Sequence, residues 1–432
     1  MSTQALLDAD LRHLWHPFTQ ADEWAAEPKL CIAEAEGVEL IDTEGKRYLD
    51  AVSSLWCNVH GHRHPKLDAA IRAQLDKVAH TTLLGLTHPT AIKLAERLSA
   101  LTRLDRVFFS DSGSSAVEVA LKMGFQAQQQ RGQVGRTRFA ALTEAYHGDT
   151  LGSVSVGGID LFHGVYRPLL FDAVRIPCPD RPDPEAEARC LRQAAELFDQ
   201  HGPSLAGFIF EPLVQGAAGM RMHSPQFLSQ LCAMARSAGA LLIADEVATG
   251  FGRTGTMFAL EQTDVRADIL CVAKGITGGY LPLAATLTTE AIFDSFRGPY
   301  TAWKTLFHGH TYTANPLACA VALASLDIFQ DEQVLAGLRP KIHALRDGLL
   351  LLQHPNVIER RQHGLMAAIR VGPFAPAARI PHHIALACRD DGVIVRCLGD
   401  ALVMMPPLAM SAAQIRRCTS VIGAAITRVT GV

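Results

Sequence analysis

The sequence lacks the features of a membrane-spanning, disulfide-bonded or nucleic-acid-binding protein. No uncharged apolar stretch reaches the roughly 18 to 20 residues of a membrane helix without a glycine or proline. The ten cysteines include no Cys-x-x-Cys pair, which argues against a zinc ribbon or a disulfide framework. A net charge of −3 favours no polyanionic partner, and acidic residues interrupt the N-terminal apolar run before a signal peptide could form. We expect a soluble, cytoplasmic protein with a small ligand.

Apolar residues, by contrast, are abundant and lie in short runs. Of 432 residues, 48% are hydrophobic and 19% are charged, a balance typical of a globular protein with a large core. Residues 37–52 alternate in polarity around Glu44-Gly45, which predicts a β-hairpin. We predict that residues 1–65 form the N-terminal part of a small domain, 66–330 a large domain, and 331–432 the C-terminal small α+β domain.

The pattern between residues 66 and 330 predicts an α/β fold, because apolar runs alternate there with stretches of helical spacing. The predicted strands are 106–110, 138–142, 206–210, 240–244 and 268–272, and the predicted helices are 114–130, 186–201, 225–238 and 315–330. Beyond them we predict a helix at 334–353 and short strands near 365–371 and 392–404. Such alternation is typical of a mostly parallel sheet covered on both faces.

Polar residues follow each of these five strands. The segments are 111–115, 144–149, Glu211-Pro212, Asp245-Glu246 and Lys274-Gly275. Ligands of open α/β sheets bind outside the carboxyl ends of the strands. These residues are therefore the first candidates for a binding site.

Ser112-Gly113-Ser114 forms a small-residue turn between a predicted strand and a predicted helix. Backbone N–H groups at a helix N-terminus bind phosphate. The same residues also fit an ordinary N-cap, so the turn alone leaves both interpretations open. It lacks the Gly-Lys-Ser/Thr of a nucleotide P-loop, so a phosphate bound here would belong to a cofactor monoester.

Asp245 and Lys274 are charged residues within apolar surroundings. A buried carboxylate requires a cation or hydrogen bonds, and burial disfavours the charged form of a lysine, which leaves a nucleophilic amine. Alternatively, Lys274 reaches solvent or pairs with Asp268. Together with the phosphate turn, the two residues meet the requirements of pyridoxal phosphate, namely an anchor, a partner for the pyridinium nitrogen and an amine for the Schiff base.

These residues and their neighbours resemble the class III (omega) family of pyridoxal-phosphate aminotransferases over nearly the whole chain. The segments that carry the resemblance are 112–118, 146–149, Glu211-Pro212, 245–255, 273–275, 308–311 and Asn315-Pro316. The resemblance implies an aspartate-aminotransferase-like fold of type I, with a large domain built on a seven-stranded, mostly parallel sheet and a small α+β domain.

The resemblance also implies a role for each site residue. Lys274 forms the imine and transfers the proton, Asp245 keeps the pyridine nitrogen protonated, and Tyr146 and Val247 pack on the two faces of the ring. Gly113 and Ser114 hold the phosphate, together with Thr311 from the second subunit of a homodimer. The other expected cofactor contacts are Ser112, His147, Glu211 and His310, and the expected substrate contacts, besides Tyr146 and Lys274, are Phe18, Trp56, Gly309 and Arg396.

Within the family, the chain is most similar to the enzymes that form 7,8-diaminononanoate in biotin biosynthesis. The distinguishing segments are 14–20, 53–62, 80–86, 146–150 and 216–222. This similarity implies 8-amino-7-oxononanoate as acceptor and S-adenosylmethionine as donor. Phe18, Leu55 and His310 depart from the enterobacterial pattern of tyrosine, tryptophan and proline, and Phe18 also resembles the enzymes that use lysine as donor.

Other interpretations of the sequence receive less support. Gly250-Phe-Gly-Arg-Thr-Gly255 matches a dinucleotide fingerprint, but five residues separate it from the preceding strand, so a nicotinamide oxidoreductase is disfavoured. His60, His62 and His64 alternate without a second ligand cluster, so we expect no metal site. Glu118 and Lys122 are interpreted as a surface pair. Another class III transaminase, acting on ornithine, a β- or γ-amino acid or a diamine, is the nearest alternative, and a non-catalytic binding protein is a third.

Overall fold

The structure is a computed structural model and describes residues 1–431. Its strands are β1 (Ile32–Glu36), β2 (Glu39–Asp42), β3 (Arg47–Asp50), β4 (Arg106–Ser110), β5 (Arg138–Leu142), β6 (Ala173–Ile176), β7 (Leu205–Phe210), β8 (Val214–Gln215), β9 (Arg221–Met222), β10 (Leu241–Asp245), β11 (Ile269–Val272), β12 (Ala284–Thr288), β13 (Val357–His363), β14 (Met366–Val371), β15 (Val393–Ile394), β16 (Arg396–Leu398) and β17 (Ala401–Met404).

The α-helices surround these strands and join them along the chain. They are α1 (Thr3–His13), α2 (Ala21–Ala26), α3 (Ser53–Trp56), α4 (Pro65–Leu75), α5 (Pro89–Thr102), α6 (Gly113–Gln130), α7 (Leu151–Val156), α8 (Asp160–His163), α9 (Pro184–His201), α10 (Pro225–Ser237), α11 (Glu290–Asp294), α12 (Pro316–Asp331), α13 (Leu338–Leu351), α14 (Ile380–Asp390) and α15 (Ala412–Thr430). Short 3₁₀ helices span Gly164–Leu169, Gly202–Ser204, Ala259–Gln262, Lys274–Thr277, Tyr300–Ala302 and Pro376–Ala378.

The central sheet has seven strands in the order β4-β12-β11-β10-β7-β5-β6. The strands β6, β5, β7, β10 and β11 pair in parallel, whereas β12 is antiparallel to both β11 and β4. Strands β7, β10, β11 and β12 are buried along their whole length. This explains why β7, β11 and the first four residues of β10 are continuous apolar runs rather than alternating ones. The predicted α/β class with a mostly parallel seven-stranded sheet is confirmed.

Two further four-stranded sheets flank the central one in sequence. The first has the order β1-β2-β3-β15, in which the predicted hairpin supplies β2 and β3 and the late strand β15 joins β3 in parallel. The second has the order β13-β14-β17-β16 and is antiparallel. Strands from the first fifty residues and from near residue 393 thus share one sheet. The proposed domain boundaries remain a prediction.

Helix α6 lies in the core next to the central sheet. Its apolar face, which includes Val117, Ala120 and Leu121, is almost entirely removed from solvent. Burial of this kind stabilises the folded protein by about 25 cal/mol per Å² of apolar surface, so it holds the helix against the sheet. Because α6 begins just after β4, its N-terminus lies at the carboxyl end of the sheet.

Candidate active site

A cavity of about 820 Å³ lies where β4, β5, β7, β10 and β11 end. Most of the predicted site residues line it, namely Trp56, Ser112, Gly113, Ser114, Tyr146, His147, Glu211, Asp245, Val247 and Lys274. The segments that carry these residues are far apart in sequence. The parallel strands bring them together, because their carboxyl ends meet along one edge of the sheet.

Lys274 follows β11 in a left-handed backbone conformation, with φ of +45°. Such a conformation costs a non-glycine residue roughly 1–2 kcal/mol and is concentrated at functional sites. Burial lowers the pKa of the amine, although the negative charges of Asp245 and Glu211 oppose this effect. Its Nζ lies 5.3 Å from the centre of the Trp56 ring. A larger fraction of the amine is therefore neutral, and nucleophilic, than in a solvated lysine.

Asp268, the alternative partner of Lys274 in the sequence analysis, contacts other residues. Asp268 accepts a 2.8 Å hydrogen bond from the Leu242 N–H and lies 3.8 Å from Arg236. Within residues 1–431, the side-chain amine of Lys274 makes no hydrogen bond or ion pair, and it faces the Trp56 ring. The pairing of Lys274 with Asp268 is thus not formed.

Asp245 ends β10 and is 4% exposed. Its Oδ2 lies 2.7 Å from Nδ1 of the buried His147, and its Oδ1 accepts a 3.0 Å hydrogen bond from the Val247 N–H. The carboxylate is therefore held in one orientation by two groups. Among the described residues, the other ring nitrogen of His147 has no partner.

Glu211 lies directly after β7 and is also buried. Its two carboxylate oxygens accept hydrogen bonds of 3.0 Å from the N–H groups of Tyr146 and Gly216. Burial nevertheless raises its pKa to about 7. Glu211 thus joins the loop that carries Tyr146 to the loop after β7, and its own charge depends on pH near neutrality.

The Tyr146 hydroxyl donates a 2.7 Å hydrogen bond to Oδ2 of Asp149. Burial and the adjacent carboxylate together hold the phenol pKa well above its ordinary value, so the phenol remains protonated. Its ring lies edge-on to Phe162, with 6.4 Å between ring centres. Asp149 also lines the cavity. The sequence interpretation assigned it no role, although it belongs to segment 146–149, which carries part of the family resemblance.

Ser112 is the N-cap of α6 and takes part in a capping box with Ser115. The side chain of Ser112 therefore acts as an N-cap, which is one of the two interpretations that the sequence left open. The N–H groups of Gly113 and Ser114 have no acceptor within residues 1–431, as expected for the first turn of a helix. A Cβ atom on Gly113 would come within 2.5 Å of Val247 Cγ1. The two amides thus remain available to an anion. Position 113 requires glycine, because Val247 leaves no room for a Cβ atom there.

The arrangement fits the cofactor expected from the sequence. Two free amides at a helix N-terminus suit a phosphate, and the oriented carboxylate of Asp245 suits a protonated ring nitrogen. Lys274, with its lowered pKa, lies in the wall of the same cavity. Apart from His310 and Thr311, the residues expected to hold pyridoxal phosphate therefore all line this one cavity.

Five predicted contacts do not line the cavity of the single chain: Phe18, Gly309, His310, Thr311 and Arg396. Phe18 is 57% exposed and lies edge-on to Phe162, with 5.3 Å between ring centres. Arg396 belongs to β16, and its charge slightly favours ionisation of Tyr146. Residues 309–311 lie in the segment before α12, next to the exposed Phe307 and Tyr312. Their assigned roles remain predictions.

The sequence interpretation missed that the four-residue segment α3, in the cavity wall, is a left-handed turn rather than a right-handed helix. Ser53, Ser54, Leu55 and Trp56 all have positive φ, and the last three line the cavity. Their short polar and bulky side chains provide no local signal for this conformation. Tertiary contacts hold the turn, because the fully buried Arg253 donates hydrogen bonds to Ser53 Oγ and to the Trp56 carbonyl.

Other features of the sequence have no catalytic counterpart in the structure. The glycine-rich segment 250–255 is followed by turns and by the short 3₁₀ helix Ala259–Gln262, so it does not begin the long helix of a dinucleotide site. Among residues 1–431, no group of three potential ligands could hold a metal ion. Nor does any described helix combine the length and the apolar character needed to cross a bilayer.

Residues 20–426 match the family described as aminotransferase class-III. The chain belongs to the class-III aminotransferase family. It is 51% identical to the adenosylmethionine-8-amino-7-oxononanoate aminotransferase of Nitratidesulfovibrio vulgaris, over 99% of this chain and 82% of the relative. The crystal structure of the Methanocaldococcus jannaschii enzyme of the same name matches with a TM-score of 0.96 at 38% identity, over 99% of each chain. An amine transaminase from an uncultivated Pseudomonas species, solved in its PLP-bound form, matches with a TM-score of 0.91 at 38% identity, over 96% of this chain and 98% of that one.

Proposed function

We propose that this protein is a pyridoxal-phosphate-dependent aminotransferase that converts 8-amino-7-oxononanoate to 7,8-diaminononanoate in biotin biosynthesis. The observation that carries the chemistry is the single cavity that contains both Lys274, with its lowered pKa, and the oriented carboxylate of Asp245. The acceptor is proposed from the similarity to enzymes named for that reaction.

When bound, pyridoxal phosphate supplies a carbonyl that takes up the amino group and a ring that accepts electron density. Lys274 supplies the nucleophilic amine and moves a proton at the reacting carbon. Asp245 holds a proton at the ring nitrogen, and His147 orients that carboxylate. The Gly113 and Ser114 amides bind the phosphate, and Tyr146 packs against the ring.

The walls of the cavity are compatible with a long aliphatic acceptor. They include Leu55, Trp56, Leu281 and Leu283, which suit a methylene chain. We place the acceptor carboxylate near Arg396, whose planar guanidinium suits a carboxylate. Arg396 does not line the cavity of the single chain, but its charge acts on Tyr146, which does.

The amino donor in this proposal is S-adenosylmethionine, with lysine as the alternative. Two residues motivate the alternative. Phe18 has no hydroxyl that could contact the amino donor. Its ring contacts Phe162, whose ring in turn contacts Tyr146. Leu55 offers an aliphatic surface beside Trp56 where enterobacterial enzymes have a second tryptophan, so an adenine ring has one aromatic partner fewer.

We further propose that the protein acts as a homodimer in the cytoplasm. The segment that contains Thr311 exposes several large apolar side chains, namely Tyr300, Trp303, Phe307 and Tyr312. Exposed apolar patches of this kind mark protein interfaces. Thr311 would then complete the phosphate site of the other subunit.

The test is a set of single-donor reactions with purified enzyme. The enzyme is loaded with pyridoxal phosphate and given 8-amino-7-oxononanoate with S-adenosylmethionine, lysine, ornithine, β-alanine or a simple primary amine. We expect 7,8-diaminononanoate, identified by mass spectrometry, with S-adenosylmethionine or lysine and none with Lys274→Ala. Turnover of simple amines with pyruvate, without product from 8-amino-7-oxononanoate, would instead support an amine transaminase, as in the Pseudomonas relative.

A further inference from the structure

A chain of polar contacts connects helix α6 to the segment before Thr311 and returns to the cavity. Lys122 Nζ lies 2.8 Å from the Phe307 carbonyl oxygen and 3.2 Å from His308 Nδ1. His308 Nε2 lies 3.0 Å from His310 Nε2. His310 Nδ1 in turn lies 3.6 Å from Asp111 Oδ2. The first three contacts are within hydrogen-bond distance, and the last is a longer electrostatic contact between a ring nitrogen and a carboxylate.

The chemistry of these groups determines which atoms donate and which accept along this series of contacts. The ammonium of Lys122 can only donate, so His308 Nδ1 must accept and the proton of a neutral His308 lies on Nε2. That proton is donated to His310 Nε2, which leaves the proton of His310 on Nδ1, facing the carboxylate of Asp111. Burial and the positive charge of Lys122 lower the pKa of His308, which favours the neutral ring that this order requires.

The last two residues of this series of contacts adjoin residues assigned to the phosphate. Asp111 lines the cavity and immediately precedes Ser112, the N-cap of α6. His310 immediately precedes Thr311, and its backbone is held on both sides by Thr313, whose Oγ1 accepts from the His310 N–H at 3.1 Å and donates to the His310 carbonyl at 2.8 Å. The side chain and backbone of His310 therefore restrain the segment that carries Thr311.

Helix α6 restrains a second loop of the site in the same way. Glu118 accepts hydrogen bonds from Thr150 Oγ1 at 2.6 Å and from the Gly152 N–H at 2.8 Å. Glu118 and Lys122 thus bind two different loops rather than each other, which corrects their interpretation as a surface pair. The helix whose N-terminus offers the phosphate amides also positions the loops around it.

We propose that His310 is a positioning residue: through its contacts with His308 and Asp111 it holds the segment that carries Thr311 against the start of α6 of its own chain, and so sets the affinity of the proposed dimer for pyridoxal phosphate. This inference rests on the proposed cofactor. It assigns to His310 an indirect role, in which its Nε2 accepts from His308 and its Nδ1 faces Asp111 at 3.6 Å, instead of a direct contact with the cofactor.

Two substitutions at this position separate the role from simple space filling. His310→Gln keeps one acceptor for His308 and one donor for Asp111, whereas His310→Leu removes both at similar volume. We expect the dissociation constant of pyridoxal phosphate, measured from the absorbance of the bound cofactor, to rise roughly tenfold in His310→Leu, since an unpaired partner is left behind. In His310→Gln it should stay within about threefold of the wild type. The exposed His383 provides the control His383→Leu, which should bind as the wild type does.

Nitrogen NMR of the unsubstituted holoenzyme gives a second, independent readout. We expect the His308 proton on Nε2 and the His310 proton on Nδ1. The opposite tautomers, or equal cofactor affinity in His310→Leu and wild type, would overturn the inference while leaving the proposed function intact. Failure of the wild-type chain to bind pyridoxal phosphate at all would overturn the proposed function and this inference together.

Discussion

His147 Nδ1 lies 2.7 Å from Asp245 Oδ2, and both side chains are buried. The contact joins the loop after β5 to the last residue of β10, two segments almost a hundred residues apart. A hydrogen bond to a charged acceptor is shorter and stronger than one between neutral groups. The imidazole therefore determines where the carboxylate of Asp245 points within the cavity.

Asp245→Asn should lower turnover by roughly a hundredfold or more, because the amide carries no charge to hold a proton at the ring nitrogen. Binding of the cofactor through the Gly113 and Ser114 amides should persist. Steady-state turnover and absorbance of bound cofactor measure the two effects separately. Asp264→Asn, at an exposed carboxylate, is the matched control, and a turnover of Asp245→Asn close to that of the control would contradict the role assigned to Asp245.

Lys274→Ala should remove the covalent link to pyridoxal phosphate, since no other amine lies in the cavity wall. Borohydride treatment followed by mass spectrometry should find the cofactor attached to the wild-type chain and not to the variant. The variant should still bind some cofactor non-covalently. Lys93→Ala, at an exposed lysine, should label as the wild type does, and persistent labelling of Lys274→Ala would place the imine elsewhere.

Glu211 predicts a specific dependence of stability on pH. Burial raises its pKa from an ordinary value of 4.5 to about 7, so the folded protein keeps a proton that the unfolded chain has lost. The resulting stabilisation is fully present below pH 4.5 and is lost as the pH rises through about 7, by an amount of about 3 kcal/mol.

Denaturant unfolding of wild type and Glu211→Gln from pH 4.5 to 8 measures this contribution. The variant should be less stable at low pH, because its amide cannot accept from both Tyr146 and Gly216. The difference in free energy of unfolding between the two proteins should shrink as the pH rises, because only the wild type loses the stabilisation of about 3 kcal/mol. Glu246, whose pKa burial also raises to about 7, remains in both proteins and cancels. A constant difference across this range would show that Glu211 does not titrate as described.

Thr311 and Lys274 allow a complementation test of the shared site. Chains with Thr311→Ala and chains with Lys274→Ala are each expected to form impaired homodimers. A heterodimer of the two would contain one site with Lys274 from the first chain and Thr311 from the second, and therefore one site with both residues intact. We expect mixing, unfolding and refolding to restore activity. Heterodimers without restored activity would mean that Thr311 does not act across the interface.

Much of this site was predictable because its chemistry is local in the sequence. Lys274 and Asp245 are charged residues at the ends of apolar runs, and Ser112-Gly113-Ser114 lies where a strand gives way to a helix. Strands β4 and β5 have the predicted bounds, β7 and β11 differ by one residue at their start, and β10 is shifted by one residue. The partners of these residues were less accessible. The spacing of Glu118 and Lys122 suggested a mutual pair, yet each binds a loop distant in sequence.

The sequence by itself determined which segments are strands and helices and which reactive groups follow them, since apolar periodicity and side-chain chemistry are properties of neighbouring residues. Only the tertiary structure decided that β15 joins β3, that His147 orients Asp245, and that Ser53–Trp56 adopt a left-handed turn. These features depend on contacts between residues far apart in the chain. Burial patterns predict that a residue is inside, but which neighbour it meets follows from how the layers pack.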